Sequence, residues 1–203
     1  KGIVWFEAEF LIDTALKIST SNTSDIAVRL VQVLGALQQL NPTLFEAQQG
    51  YALTSTLEFP ENWGLGSSST LITNLAAWAK VDPFKLLELT FGGSGFDIAC
   101  ALQDSAILFQ LEKGKPSIQP VEFSPSFSES LFFVHRNQKQ NSREGIAAYK
   151  SLTADTSLDF SELNSLTLDL LNCTDLKTFE DLIEQHERCI STLLQQPPLK
   201  EVL

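Results

Sequence analysis

Apolar residues Ile26, Leu30, Val33, Leu34 and Leu37 recur at three- and four-residue steps and predict a helix over 24–40, ended by Asn41-Pro42. Residues 51–59 alternate instead. Tyr51, Leu53, Leu57 and Phe59 share one face and Thr54, Thr56 and Glu58 the other, the pattern of a half-buried strand. Residues 3–12 are rich in β-formers, and 16–20 read as their partner. The helical period returns over 67–80 through Leu71, Leu75 and Trp78. Asp82-Pro83 then reads as a cap followed by proline at the first helical position, opening a short helix to about Thr90.

Residues 91–96 are glycine-rich, and 97–103 read as a helical turn. Residues 107–111 and 118–123 flank Glu112-Lys113-Gly114-Lys115-Pro116, a hairpin turn, and 131–135 form an apolar run of strand character. Helices are expected over 142–152, 161–172 and 176–194, with Pro197-Pro198 ending the last. Mixed strands and helices give way to helices near residue 140. The fold class is therefore α+β, with one domain over 1–140 and the beginning of another over 141–203.

Composition narrows the function classes. With 203 residues, 43% of them hydrophobic, the chain has enough apolar material for a sizeable core. A net charge of −11 gives no general electrostatic grip on nucleic acid or an anionic membrane. No apolar run approaches the ~18–20 residues of a membrane span. Cys100, Cys173 and Cys189 have neither metal-ligand spacing nor a disulfide framework, so a reduced, cytoplasmic protein is expected. The start lacks the layout of a signal peptide, and the absence of Met reads as a chain taken from a longer protein.

Candidate chemistry centres on two segments. In Pro60-Glu61-Asn62-Trp63-Gly64-Leu65-Gly66-Ser67-Ser68-Ser69-Thr70, glycines let the backbone approach a ligand. The serines fall on the first turn of the following helix, where free N–H groups and the helix dipole favour phosphate. Serine hydroxyls can also meet Mg²⁺ or a phosphate oxygen. A glycine turn with a serine cap explains part of this string. Four consecutive poor helix formers at that junction point further, to a ligand. In Gly92-Gly93-Ser94-Gly95-Phe96-Asp97-Ile98-Ala99, a flexible turn presents one carboxylate at a helix start, where Asp97 either caps the helix or does chemistry.

The first string resembles the second motif of the GHMP kinases, named for galactokinase, homoserine kinase, mevalonate kinase and phosphomevalonate kinase. The second resembles the Ser-Gly-x-Asp stretch of mevalonate kinases and the Gly-Ser-Gly-Phe-Asp of phosphomevalonate kinases. Residues 59–101 together resemble a bacterial branch labelled by its Gly-Tyr-Asp-Ile-Ala signature, here Gly95-Phe96-Asp97-Ile98-Ala99. The resemblance implies a ribosomal-protein-S5 domain 2-like N-terminal part and the start of a helical GHMP C-terminal domain. It implies ATP and Mg²⁺ as cofactors, with Gly64, Leu65, Gly66, Ser67, Ser68 and Ser69 at the nucleotide and Ser68 at the metal. Asp97 becomes the general base towards a small acceptor, an isoprenoid-pathway acid such as mevalonate or phosphomevalonate. Gly93, Ser94 and Gly95 fall beside that acceptor.

The family's first and last motifs are missing, which again reads as the middle of a protein of about 300 residues. Lys139 and Arg143, with Ser142, could pair an anionic acceptor, or form a solvated loop with Ser142 as helix cap. Glu88 sits near the family's metal-binding glutamate but one residue off its spacing, and reads as a helix-surface residue. His135 and His186 read as surface or packing residues, and Cys100 as a buried small hydrophobe rather than a nucleophile. A homodimer is compatible with all of this. Two other activities stay open on the same motifs: a diphosphomevalonate-decarboxylase-like enzyme, and a non-catalytic nucleotide or sugar-phosphate sensor.

Overall fold

A computed structural model describes residues 4–46, 49–135, 149–151 and 159–202. Helix and sheet are mixed but separate along the chain, the arrangement of an α+β protein. Two compact units are present: residues 1–61 with 65–121, and residues 62–64 with 122–203. The change of composition expected near residue 140 lies outside the described residues.

The first unit is built on four helices: α1 (Asp25–Leu40), α2 (Ser67–Ala79), α3 (Pro83–Thr90) and α4 (Phe96–Ala101). Ser24 caps α1 by accepting the Ala27 N–H at 3.3 Å. Asp82 caps α3 through Phe84 N–H at 2.8 Å, with Pro83 at the first helical position. Helix α2 ends on Lys80 in the left-handed region (φ 56°), so the chain turns at once into α3. The Asn41 amide then ties the end of α1 to the end of α2, donating to Ala79 O at 2.8 Å.

These helices enclose a core of Val33, Ala36, Leu37, Ile72, Leu75, Ala76, Ala79, Leu86 and Ile98. Leu37, Ile72, Leu86 and Ile98 are fully buried, each worth about 1.5–3 kcal/mol relative to exposure. The buried stripe of α1 is Ala27, Val33, Ala36 and Leu37, rotated from the large residues of its pattern, so Ile26 lies on the exposed side.

Two small antiparallel sheets complete this unit. Leu11–Ile12 (β1) pairs with Ile18–Ser19 (β2) around a turn held by Asp13, whose Oδ1 accepts from the N–H groups of Ala15 and Lys17, both at 2.9 Å. Ala106–Glu112 (β3) and Lys115–Val121 (β4) form a hairpin in which Glu112 faces Lys115. Lys113 (φ 51°) and Gly114 (φ 79°) both take left-handed conformations, which matches the twist of a two-residue hairpin. Phe96 of α4 meets Phe109 of β3 edge-on at 5.6 Å.

Three strand expectations are corrected. The strand over 3–12 shrinks to Leu11–Ile12. Residues 51–59 and 131–135 form no strand at all. Alternation makes a strand possible, but a partner must supply the ladder of hydrogen bonds, and among the described residues none pairs with either segment. Tyr51 instead packs edge-on against Trp78 at 5.4 Å, its hydroxyl donating to Leu44 O at 2.8 Å. Leu53 and Leu57 stay exposed, as do Phe132, Phe133 and Val134.

The second unit is built on α5 (Ser161–Asn172) and α6 (Leu176–Leu194), followed by the short α7 (Leu199–Val202). Asp175 caps α6, accepting Thr178 N–H at 2.9 Å. That bond to the backbone, joined by one to the Thr178 side chain, holds the Asp175 carboxyl below its usual pKa. Phe127, buried, packs on Phe179 of α6 with ring centroids 5.0 Å apart. Glu184 is paired by Lys200 and, less closely, by Arg188, and its pKa is lowered for that reason. No helix among the described residues is long and apolar enough to cross a membrane.

Candidate functional site

Helices α2 and α4 begin differently from α1, α3 and α6. Their first positions follow a left-handed glycine, Gly66 (φ 75°, ψ 33°) and Gly95 (φ 83°, ψ 7°), which has no side chain to cap the helix, although at α4 Ser94 reaches the Phe96 N–H. A glycine can take this conformation where other residues are strained. It leaves the first N–H groups of the helix without an internal acceptor. Open space surrounds Gly64 (φ 74°) and Gly66, where an added Cβ would meet nothing within 4 Å.

The hydroxyls near the start of α2 divide into two sets. Thr70 and Thr73 bond back to the carbonyls of Gly66 (3.0 Å) and Ser69 (2.9 Å), so they serve the helix itself. Ser68 is exposed, and Ser67 and Ser69 are half-buried. Ser69 lies three residues before Ile72 and seven before Ala76, on the stripe that α2 turns inward. Its hydroxyl donates to Oδ2 of Asp97 at 3.4 Å, a long bond that joins the two motif segments. It is Ser69, rather than Ser68, that meets the carboxylate.

Asp97 is aimed by its neighbours. Ile98 and Ala99 are fully buried against α2, so Asp97 and Cys100 take the outward side of α4. Capping, the other role open to Asp97 from the sequence, is not its role here. Gly95 holds the cap position, and Ser94 Oγ accepts the Phe96 N–H at 3.2 Å. Asp97 sits one residue further in, its carboxylate free of helix N–H groups. Beside it, Cys100 is exposed, not buried as its sequence suggested, and its thiol is pushed above its usual pKa by partial desolvation and then by the Asp97 charge.

The glycine turn that carries Asp97 is anchored to α3. Gly92 (φ 67°) donates to Leu87 O at 2.7 Å and closes that helix. Gly95 is buried, and a Cβ there would lie 2.9 Å from Cδ1 of Phe84. Gly93 (φ 107°) lies in open space. Glycine is thus required at 95 by packing as well as by conformation, whereas Gly64 and Gly66 answer to conformation alone. Glu88 is an exposed residue of α3, as its surface reading anticipated. Lys139, Ser142 and Arg143, and the helix expected over 142–152 except for 149–151, lie outside the described residues.

Among the described residues, no group of three or more His, Cys, Asp or Glu side chains comes together to hold a metal ion. The donors at Gly66–Ser69 suit an anion: backbone N–H groups at a helix start that follows a glycine, with neutral hydroxyls beside them. Compared with family models, with curated proteins and with solved structures, the chain finds no match.

Proposed function

We propose that the protein is an ATP- and Mg²⁺-dependent small-molecule kinase of the GHMP type, built on the S5 domain 2-like fold and acting on an isoprenoid-pathway acid such as mevalonate or phosphomevalonate. The observation that carries this reading is the meeting of α2 and α4 at their starts. The phosphate-type loop ending in Ser67–Ser69 and the carboxylate of Asp97 come within hydrogen-bond reach through Ser69. Two segments that resemble successive parts of one kinase site are thereby neighbours in space.

The residues divide the work as follows. The N–H groups at the start of α2 receive phosphate oxygens. Bound Mg²⁺-ATP supplies the transferable phosphoryl group and a leaving group whose charge is neutralised; Mg²⁺ commonly takes only one or two protein oxygens and completes its shell from phosphates and water. Ser68, exposed beside the loop, is the hydroxyl assigned to the ion. With a hydroxyl acceptor such as mevalonate, Asp97 would take the hydroxyl proton as that oxygen bonds to the γ-phosphorus, the bond to the β,γ-bridging oxygen breaks and ADP leaves. With phosphomevalonate the acceptor is an ionised phosphate oxygen, and Asp97 would orient it through a bound proton or the metal rather than deprotonate it. Ser69 occupies Oδ2 of Asp97 and leaves Oδ1 for the acceptor.

The test is ADP formation by the purified protein with Mg²⁺-ATP and each of mevalonate, phosphomevalonate and diphosphomevalonate. Acceptor-dependent ADP with a phosphorylated product supports the reading. Release of CO₂ from diphosphomevalonate would reassign it to a decarboxylase. Nucleotide binding with no turnover on any acceptor would reduce the site to a sensor.

A further inference from the structure

We propose that Arg29 is a positioning residue for the glycine turn, and through it for Asp97; the link to catalysis rests on the kinase reading above. Helix α3 has no basic residue in its last turn, so its own sequence leaves the negative end of the helix unmet. Arg29, half-buried on α1, supplies the charge from outside. Its Nη1 donates to Thr90 O at 3.4 Å, on the last residue of α3, and to Gln32 Oε1 at 2.9 Å. Its Cζ lies 5.2 Å from the centre of the Phe91 ring, a cation–π arrangement. Thr90 and Phe91 are the two residues that lead into Gly92.

Beyond them the turn has its own ties, Gly92 to Leu87 and Gly95 against Phe84. Both ties belong to α3. Arg29 therefore adds a polar and cation–π tie between the exit of α3 and α1, the longest helix of that unit, beside the apolar packing of Leu87 and Phe91 on the shared core. A carboxylate that must meet an acceptor needs a turn held still, because small displacements weaken alignment sharply.

The test compares wild type with Arg29→Met, which keeps the stem and loses the cation, and Arg29→Lys, which keeps a cation. The readout is the amide order parameter of the folded protein, which a change in global stability does not move. Wild-type residues from Gly93 to Asp97 should show the rigid-backbone value of about 0.85, falling towards about 0.6 in Arg29→Met. Values from Leu71 to Ala79 should hold in both variants, and Arg29→Lys should restore most of the order in the turn. In turnover, Arg29→Met should lower kcat by roughly 3–10-fold with the ATP KM within about twofold. Unchanged order in the Arg29→Met turn, or an equal loss along α2, overturns the proposal. If wild type shows no acceptor-dependent ATP use, the kinase reading falls, and the order parameters still decide whether Arg29 fixes the turn.

Discussion

Helices α2 and α3 follow one another in the chain and begin by opposite devices. At α3, Asp82 fills the first donors with its own carboxylate and Pro83 removes another, so the helix start is closed on itself. At α2, Gly66 turns the chain into the helix with no side chain spent on the donors. Helix α4 also enters from a left-handed glycine, Gly95, but there Ser94 Oγ takes the Phe96 N–H, so its start is open only beyond that first donor. A closed start stabilises the fold and has nothing left to offer a ligand; an open start gives up that stability and keeps its N–H groups available. In this unit the two open starts are the pair that Ser69 and Asp97 bring together.

The largest effect that separates the open pair from the closed starts is expected at Asp97. Asp97→Asn should lower kcat on a hydroxyl acceptor by about 10²–10⁴-fold, the usual range for loss of a general base, with the ATP KM little changed. Because Asp97 is not the cap, the fold should lose no more than about 0.3–1 kcal/mol, from charge near a helix start. Steady-state kinetics beside urea unfolding check both halves; near wild-type turnover would return Asp97 to the helix surface.

The two open starts should themselves respond differently to a methyl group. Gly95→Ala combines a left-handed alanine with overlap on the Phe84 ring, together about 2–5 kcal/mol. Gly66→Ala meets open space and should cost about 1 kcal/mol from conformation alone. Urea denaturation of both variants ranks them, and equal losses would mean that α3 yields easily at Phe84. Smaller again is the closed start: Asp82→Ala should cost about 1 kcal/mol and Asp82→Asn only a few tenths, since Asn and Asp cap alike.

What the sequence made legible follows the same division between local and distant causes. The period of α1, the Asp82-Pro83 start and the periods of α5 and α6 are set by residues within a few positions, and those helices stand where the signals put them. The hairpin expected around 112–116 is present too, with its turn tightened to Lys113-Gly114 and its strands lengthened to Ala106–Glu112 and Lys115–Val121. The segments 51–59 and 131–135 carry a strand pattern, yet a strand also needs a partner that no local pattern supplies. In the candidate site, both glycine segments were legible from their loops. That Ser69 meets Asp97 follows from the helical phase with Ile72 and Ala76, a signal present in the sequence from which no serine was expected at the carboxylate. The hold of Arg29 on Thr90 and Phe91 spans two helices, and nothing near residue 29 announces it.

The smallest effect tests whether α4 really presents Asp97 and Cys100 on one side. Partial desolvation and then the Asp97 charge raise the Cys100 thiol, so Asp97→Asn should remove the second cause and leave the first. The thiol pKa should fall but stay above its ordinary value. Below that pKa, a larger thiolate fraction makes alkylation faster at a given pH, because the thiolate is the nucleophile. Peptide-resolved alkylation across pH, with Cys173 as a control outside this unit, reads the shift without any assay of turnover. An unmoved Cys100 profile in a folded Asp97→Asn protein would mean that the carboxylate does not face the thiol, and the outward placement of Asp97 on α4 would have to be redrawn.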